Sequence, residues 1–257
     1  MPISLRVTGA SLFVKEREQQ YRHSGARPMT TTQFLVTSPA RIAHDPLPPC
    51  THSIATEYYN VPHRAYHTWQ HVLHVHACAN RLLTHLLETS GKLTECEAEA
   101  CVLAISWHDI FQGPNHEAAS AAKLYHENPS STSALAARLI VDGTTHFVTP
   151  DTALLFKALG LAVPSSGNLK LLTSVIHDAD LMILGEEAKQ FDEYARAIVV
   201  EALAFGLNLP DYRDRRIQFL HRVKAAATEM TLFTTEPAQQ LNTAVLENIG
   251  RELARLA

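Results

Sequence analysis

The chain has 257 residues, 46% of them hydrophobic, which is enough to bury a sizeable core. Its formal charge of −4 leaves no global basic field, so recognition of duplex phosphates is excluded as its main business. No run approaches the roughly 18 apolar residues a bilayer span needs, and no secretory h-region is visible. The four cysteines, Cys50, Cys78, Cys96 and Cys101, lack CxxC spacing and read as reduced thiols of a cytoplasmic protein.

Residues 1–54 are rich in Thr, Ser and Pro and read as an irregular leader ahead of a helical domain over 55–257. Within it, Arg6, Lys15, Arg17, Arg22 and Arg27 against Glu16 and Glu18 keep an organelle transit segment in 1–28 as the alternative, and Met29 is a second candidate start. From Thr68 to Leu87 apolar residues recur at three and four, predicting a helix that Ser90 and Gly91 end. Thr94 with Glu97 forms a capping-box pattern for a second helix running to about Phe111. Helices are then expected over Glu117–Tyr125 and Ser133–Thr144, followed by a loop containing Pro150, Pro164 and Gly167. Leu169–Leu184, Phe191–Phe205, Tyr212–Met230 and Pro237–Leu256 complete the pattern. No segment of useful length alternates with period two, so the fold expected is all-α, a single compact multi-helix bundle.

Chemistry is signalled where the apolar run Ala100–Trp107 ends in His108-Asp109. Two ionisable groups at the buried end of such a run are costly unless paired, and a metal ion satisfies both. His67 and His71 lie one turn apart, and the apolar stretch 171–176 ends in His177-Asp178-Ala179-Asp180. Three helices delivering His and Asp predict a nitrogen and oxygen site for Mn, Fe, Co, Ni or Zn, with Mg less suited. Of the fifteen histidines, His74, His76 and His85 read as incidental.

The order His71, His108-Asp109, Asp180 resembles the H...HD...D signature of the HD superfamily of metal-dependent phosphohydrolases, most closely its small branch of predicted phosphohydrolases. Three stretches carry the resemblance: Pro62–Val72, Trp107-His108-Asp109, and Asp178–Gly185 with Glu193–Ile198 after it. It covers roughly residues 55 to 256 and implies an HD-type helical domain that hydrolyses a phosphate ester or nucleotide. It also implies His71, His108, Asp109 and Asp180 as metal ligands, with Asp178 as the rival of Asp180.

The catalytic candidates are Asp109, which would orient the attacking water, Glu117 as general acid or base, and His67 at the mouth. Arg64, Tyr66, His146, Asp178 and Arg196 are the candidate contacts to a small phosphorylated substrate. Arg213, Arg215 and Arg216 read as a solvated helix face. Some HD nucleotidases carry a glutamate three residues after the HD pair; Gln112 stands there in this chain, which moves weight to Glu117. Two other function classes remain open, an HD-fold diiron oxygenase and a non-catalytic nucleotide-binding domain. The first needs at least two of His116, His126, His146 and His177 on apolar helical faces. A homodimer is compatible with the sequence, as is a monomer; membrane partners have no support in it.

Overall fold

The computed structural model describes residues 46–50, 54–113, 115–149 and 151–257. The transit segment and the second start considered for the leader lie outside the described residues. Eleven α-helices and one 3-10 turn follow in order: α1 (Ala55–Tyr59), α2 (Trp69–Ser90), α3 (Glu95–Trp107), α4 (His116–Glu127), α5 (Ser131–Thr144) and α6 (Thr152–Leu159). Then come α7 (Leu169–Leu181), the turn Met182–Gly185, α8 (Ala188–Ala204), α9 (Leu209–Thr228), α10 (Glu236–Gln239) and α11 (Asn242–Leu256). Among the described residues there is no strand, and the chain is the all-α bundle its periodicity predicts.

Helices α2, α3, α5 and α7 pack around one core, with Val72, Leu83, Ala104, Ile105, Leu139, Ile140, Val175 and Ile176 fully or almost fully excluded from water. Gly143 lets α5 approach α7 closely, since a Cβ there would meet Ile176 Cγ2 at 3.0 Å. Residues 46–50, grouped with the leader by composition, pack on this core: Leu47 is buried, and its N–H donates to Asn80 Oδ1 at 2.9 Å.

Three elements differ from the sequence pattern. Helix α6 occupies part of the expected loop, started by the Asp151 carboxylate accepting from the Leu154 N–H and ended by Gly160 in the left-handed region at φ 70°. The expected helix from Pro237 is broken into α10 and α11. Arg216 is buried, not solvated; its guanidinium grips Glu252 through two bonds of 2.8 and 2.9 Å and donates to the Tyr194 hydroxyl, joining α9, α11 and α8.

The capping box at Thr94 is present. Glu97 does more than cap α3, because its carboxylate also accepts from the Asn168 N–H and side-chain amide ahead of α7. Burial opposes its charge, and these hydrogen bonds outweigh that, pulling its pKa down to about 2. A carboxyl group with a lowered folded pKa stabilises fully above its unfolded value, and the benefit fades as pH falls from near 4.5 towards 2. Glu97→Gln is therefore expected to cost on the order of 2 kcal/mol at pH 7 and almost nothing at pH 2, read by denaturant unfolding at both pH values.

Candidate metal centre

The ends of several helices converge at one end of the bundle. His71 enters from the first turn of α2, His108 and Asp109 follow the last residue of α3, and Asp180 comes from the last turn of α7. The His108 ring is held by its Nδ1–H donating to the Ile105 carbonyl at 2.8 Å, which satisfies one of the carbonyls a helix end leaves unpaired. This turns Nε2 towards the cluster. His71 is buried, and its ring packs against Tyr66 at 4.8 Å and His108 at 5.2 Å between centroids.

Around one point the donor atoms form a tight set. His71 Nε2 lies 3.1 Å from His108 Nε2, 3.4 Å from Asp109 Oδ2 and 3.3 Å from Asp180 Oδ1. His108 Nε2 lies 3.1 Å from Asp109 Oδ2 and 3.7 Å from Asp180 Oδ1. Bonds of about 2.0–2.2 Å to one ion place neighbouring ligand atoms about 3.0–3.5 Å apart, so a small divalent cation fits among His71, His108 and Asp180, whose donor atoms all lie within 4.8 Å of one another, with Asp109 reaching the two imidazoles from one side. The donor chemistry fits as well: two imidazoles and two carboxylates suit the borderline transition ions.

The charges in the cluster are strongly coupled. Burial alone pushes the His108 imidazole down, and Asp109 and Asp180 more than reverse this, holding it well above its ordinary value. Burial would raise the Asp109 and Asp180 carboxyls, yet the surrounding imidazoles hold both well below the usual carboxylate range. Carboxylates and imidazoles thus hold each other charged, and a bound cation would take the place of the protons that His71 and His108 carry in the ion-free cluster.

Each carboxylate also faces a second set of donors. Asp109 Oδ1 is 3.3 Å from His116 Nε2, and Asp180 Oδ2 is 3.0 Å from His146 Nε2. Neither His116 nor His146 stands in the four-ligand set expected from sequence, though both belong to the interval on which the diiron alternative depends. Of the other two in that interval, His177 pairs with Asp178 at 3.0 Å and packs on His146, while His126 lies at the far end of α4.

His67 is organised by a residue the sequence reading missed. Glu201 of α8 is buried, and its Oε2 accepts from the successive N–H groups of Ala65, Tyr66 and His67, each at 2.9 Å. Its Oε1 hydrogen-bonds His67 Nδ1. Burial opposes the charge on Glu201, but His67 and the backbone donors prevail and bring its pKa down to about 2. With Nδ1 engaged, His67 turns Nε2 to within 3.7 Å of Asp109 Oδ2. The signal was readable: Glu201 lies in a helical stripe with Tyr194, Ala197 and Ile198, where a carboxylate needs a reason to be buried.

The remaining candidates separate. Glu117 reaches the cluster only through His116, whose Nδ1 is 3.6 Å from Glu117 Oε2. Tyr66 braces His71 and keeps its hydroxyl buried with no protein hydrogen-bond partner among the described residues. Three expected substrate contacts are corrected. Arg64 is buried, donating to the carbonyls of His67 and Ile110 at 2.8 Å each, so it fastens the backbone on both sides of the cluster. Asp178 has no solvent exposure and accepts from the Thr234 and Thr235 N–H groups, tying down the chain before α10. Arg196 is exposed, on the helical face opposite Glu201. The choice between the two aspartates therefore falls to Asp180 as the group facing the donors.

A second cluster, His74, Cys78 and Glu186, already holds a cation: Arg81 Nη2 lies 3.1 Å from Cys78 Sγ and 3.4 Å from Glu186 Oε1. Among the described residues no helix is long and apolar enough to cross a membrane, and the four cysteines are unbridged. Comparison with protein-family models, curated proteins and solved structures gives no match to this chain.

Proposed function

We propose that the protein is a metal-dependent phosphohydrolase acting on a small phosphate ester, with a divalent transition ion held by His71, His108, Asp109 and Asp180. The observation that carries this reading is the convergence of donors from His71, His108 and Asp180 within 4.8 Å of one another, with Asp109 at 3.1 and 3.4 Å from the two imidazoles, beside an independently oriented histidine. A divalent ion held there would acidify a water molecule and polarise a phosphoryl oxygen. Asp109 Oδ1, which faces His116 Nε2 at 3.3 Å, would also accept a hydrogen bond from that water and fix its direction. His67, with Nδ1 committed to Glu201, presents Nε2 as the proton acceptor next to Asp109. His116, backed by Glu117, is the proton donor on the opposite side of Asp109.

The test is phosphate release from a panel of nucleotides and simple esters with Mn, Co, Ni or Zn supplied, with His108→Ala as control. Release by wild type and not by the variant supports the reading; equal release by both removes it. The pairing of His116 and His146 with the outer carboxylate oxygens supports a second reading, a two-metal centre of the kind that oxidises small diols or phosphonates. Spectroscopic signs of two coupled irons, together with oxygen consumption and no phosphate release, would select it.

A further inference from the structure

Helix α2 carries a second set of donors about one turn beyond His71. His74 and Cys78 stand four residues apart and share a face of the helix, and Glu186 meets them from the residue after the Met182–Gly185 turn. One ligand atom from each of the three lies within 4.8 Å of the other two. A tetrahedral zinc ion with bonds of about 2.3 Å to sulfur and 2.0–2.1 Å to nitrogen sets those two atoms about 3.6 Å apart. His74 Nε2 and Cys78 Sγ are 3.5 Å apart. His74, incidental by its spacing in the sequence, thus gains a partner through the fold.

These donors differ in kind from those of the first centre. Sulfur beside an imidazole and a carboxylate is a soft, mixed set, which suits zinc and disfavours Mg and Ca. Cys78 has no solvent exposure, and burial pushes its thiol up to about 11, against the opposing pull of Arg81. The thiol therefore keeps its proton until a metal ion replaces it.

The three groups already draw a positive charge to themselves. Arg81 Nη2 donates to Cys78 Sγ at 3.1 Å and to Glu186 Oε1 at 3.4 Å. Its hold is weak, because 61% of the Arg81 side chain is exposed and its pair with Glu186 is long and wet. The guanidinium can swing into solvent on its flexible stem, leaving an imidazole, a thiol and a carboxylate around one point.

We infer that His74, Cys78 and Glu186 form a second metal site, which takes a thiophilic divalent ion, zinc foremost, in exchange for the Arg81 guanidinium. The ion would bind His74 Nε2, Cys78 Sγ and the Glu186 carboxylate, with water in the fourth position. As the sulfur–metal bond forms, the thiol proton passes to solvent. Competition from Arg81 makes the ion exchangeable, so desalting removes it from wild type. None of this depends on the hydrolase reading.

The experiment titrates the full chain with Co(II) and then with Zn(II) as competitor, followed by near-ultraviolet absorption. A cobalt–thiolate bond gives a charge-transfer band there that nitrogen and oxygen ligands do not, so the first centre is silent. Wild type should develop the band and zinc should remove it. Arg81→Ala should bind cobalt at least roughly tenfold more tightly, since one competing charge-assisted hydrogen bond is gone. Glu186→Gln should weaken binding by roughly tenfold or more. Cys78→Ser should lose the band, with circular dichroism checking that it is folded. Tightening in Arg81→Ala cannot come from misfolding, so that variant decides the question even if Cys78→Ser does not fold. Absence of the band in both wild type and Arg81→Ala, its persistence in Cys78→Ser, or equal cobalt affinity in wild type and Arg81→Ala would overturn the inference.

Discussion

His108→Ala is expected to lower the affinity for divalent ions by more than roughly 100-fold, a loss that even changing an outer hydrogen-bond partner can reach. Phosphate release should fall with it by roughly 1,000-fold or more. His108 Nε2 sits among His71 Nε2, Asp109 Oδ2 and Asp180 Oδ1, so truncation leaves the buried Asp109 and half-buried Asp180 carboxylates with one imidazole fewer to share. The variant also loses the bond to the Ile105 carbonyl and leaves a void beside the core. His108→Gln is the companion variant, because it restores most of the volume and a donor while offering a poor metal ligand. Circular dichroism and thermal melts should show both variants folded, with Gln closer to wild type. Metal affinity and turnover should be lost in both.

Glu201→Ala is expected to cost roughly 3 kcal/mol, a fall in Tm of roughly 6–12 °C for a domain of this size. The carboxylate is the acceptor for three consecutive backbone N–H groups and for His67, and it is 4% exposed, so little water can replace it. Glu201→Gln separates this structural role from the placement of His67. One amide oxygen can still serve the backbone donors, so most of the stability should return. The amide nitrogen then faces His67 Nδ1 and donates to it, which moves the ring proton to Nε2 and removes the proton acceptor beside Asp109. Under the hydrolase reading Gln therefore recovers Tm but not kcat, with KM little changed. Recovery of both together would show that Glu201 only fastens the chain.

The legibility of this fold in its sequence follows from local physics. The 3.6-residue periodicity made α2 and α7 readable, whereas α3, apolar nearly all round, was marked by its apolar run and by the Thr94–Glu97 pair that sets its start to the residue. Helix α6 was hidden because Leu154 on it is exposed, which blurs the apolar stripe, and because nearby Pro150 and Pro164 dominate the local signal. The burial of Arg216 was hidden because its partner Glu252 lies 36 residues away, and a charge run carries no sign of distant pairing.

At the site, His71, His108, Asp109 and Asp180 were readable because each ends or begins an apolar helical segment. Their expected company was not. Arg64 and Arg196 were assigned by charge type, and only the backbone path reveals that one grips carbonyls and the other points outward. His146 was expected near the substrate but not on Asp180, and Glu201 was marked only as a carboxylate in an apolar stripe; that these two and His116 meet the cluster depends on contacts spanning tens of residues or on helix-end geometry, which spacing along the chain does not encode.

The central claim is that these four side chains hold a divalent ion. Its most direct test is elemental analysis of wild type and His108→Ala, each purified without added metal, then saturated with Mn, Co or Zn and desalted. One or two equivalents of transition metal in wild type, with at most a small fraction in a variant that remains folded, is the result expected. Wild type that stays metal-free after saturation, or a folded variant that keeps the full complement, would contradict it.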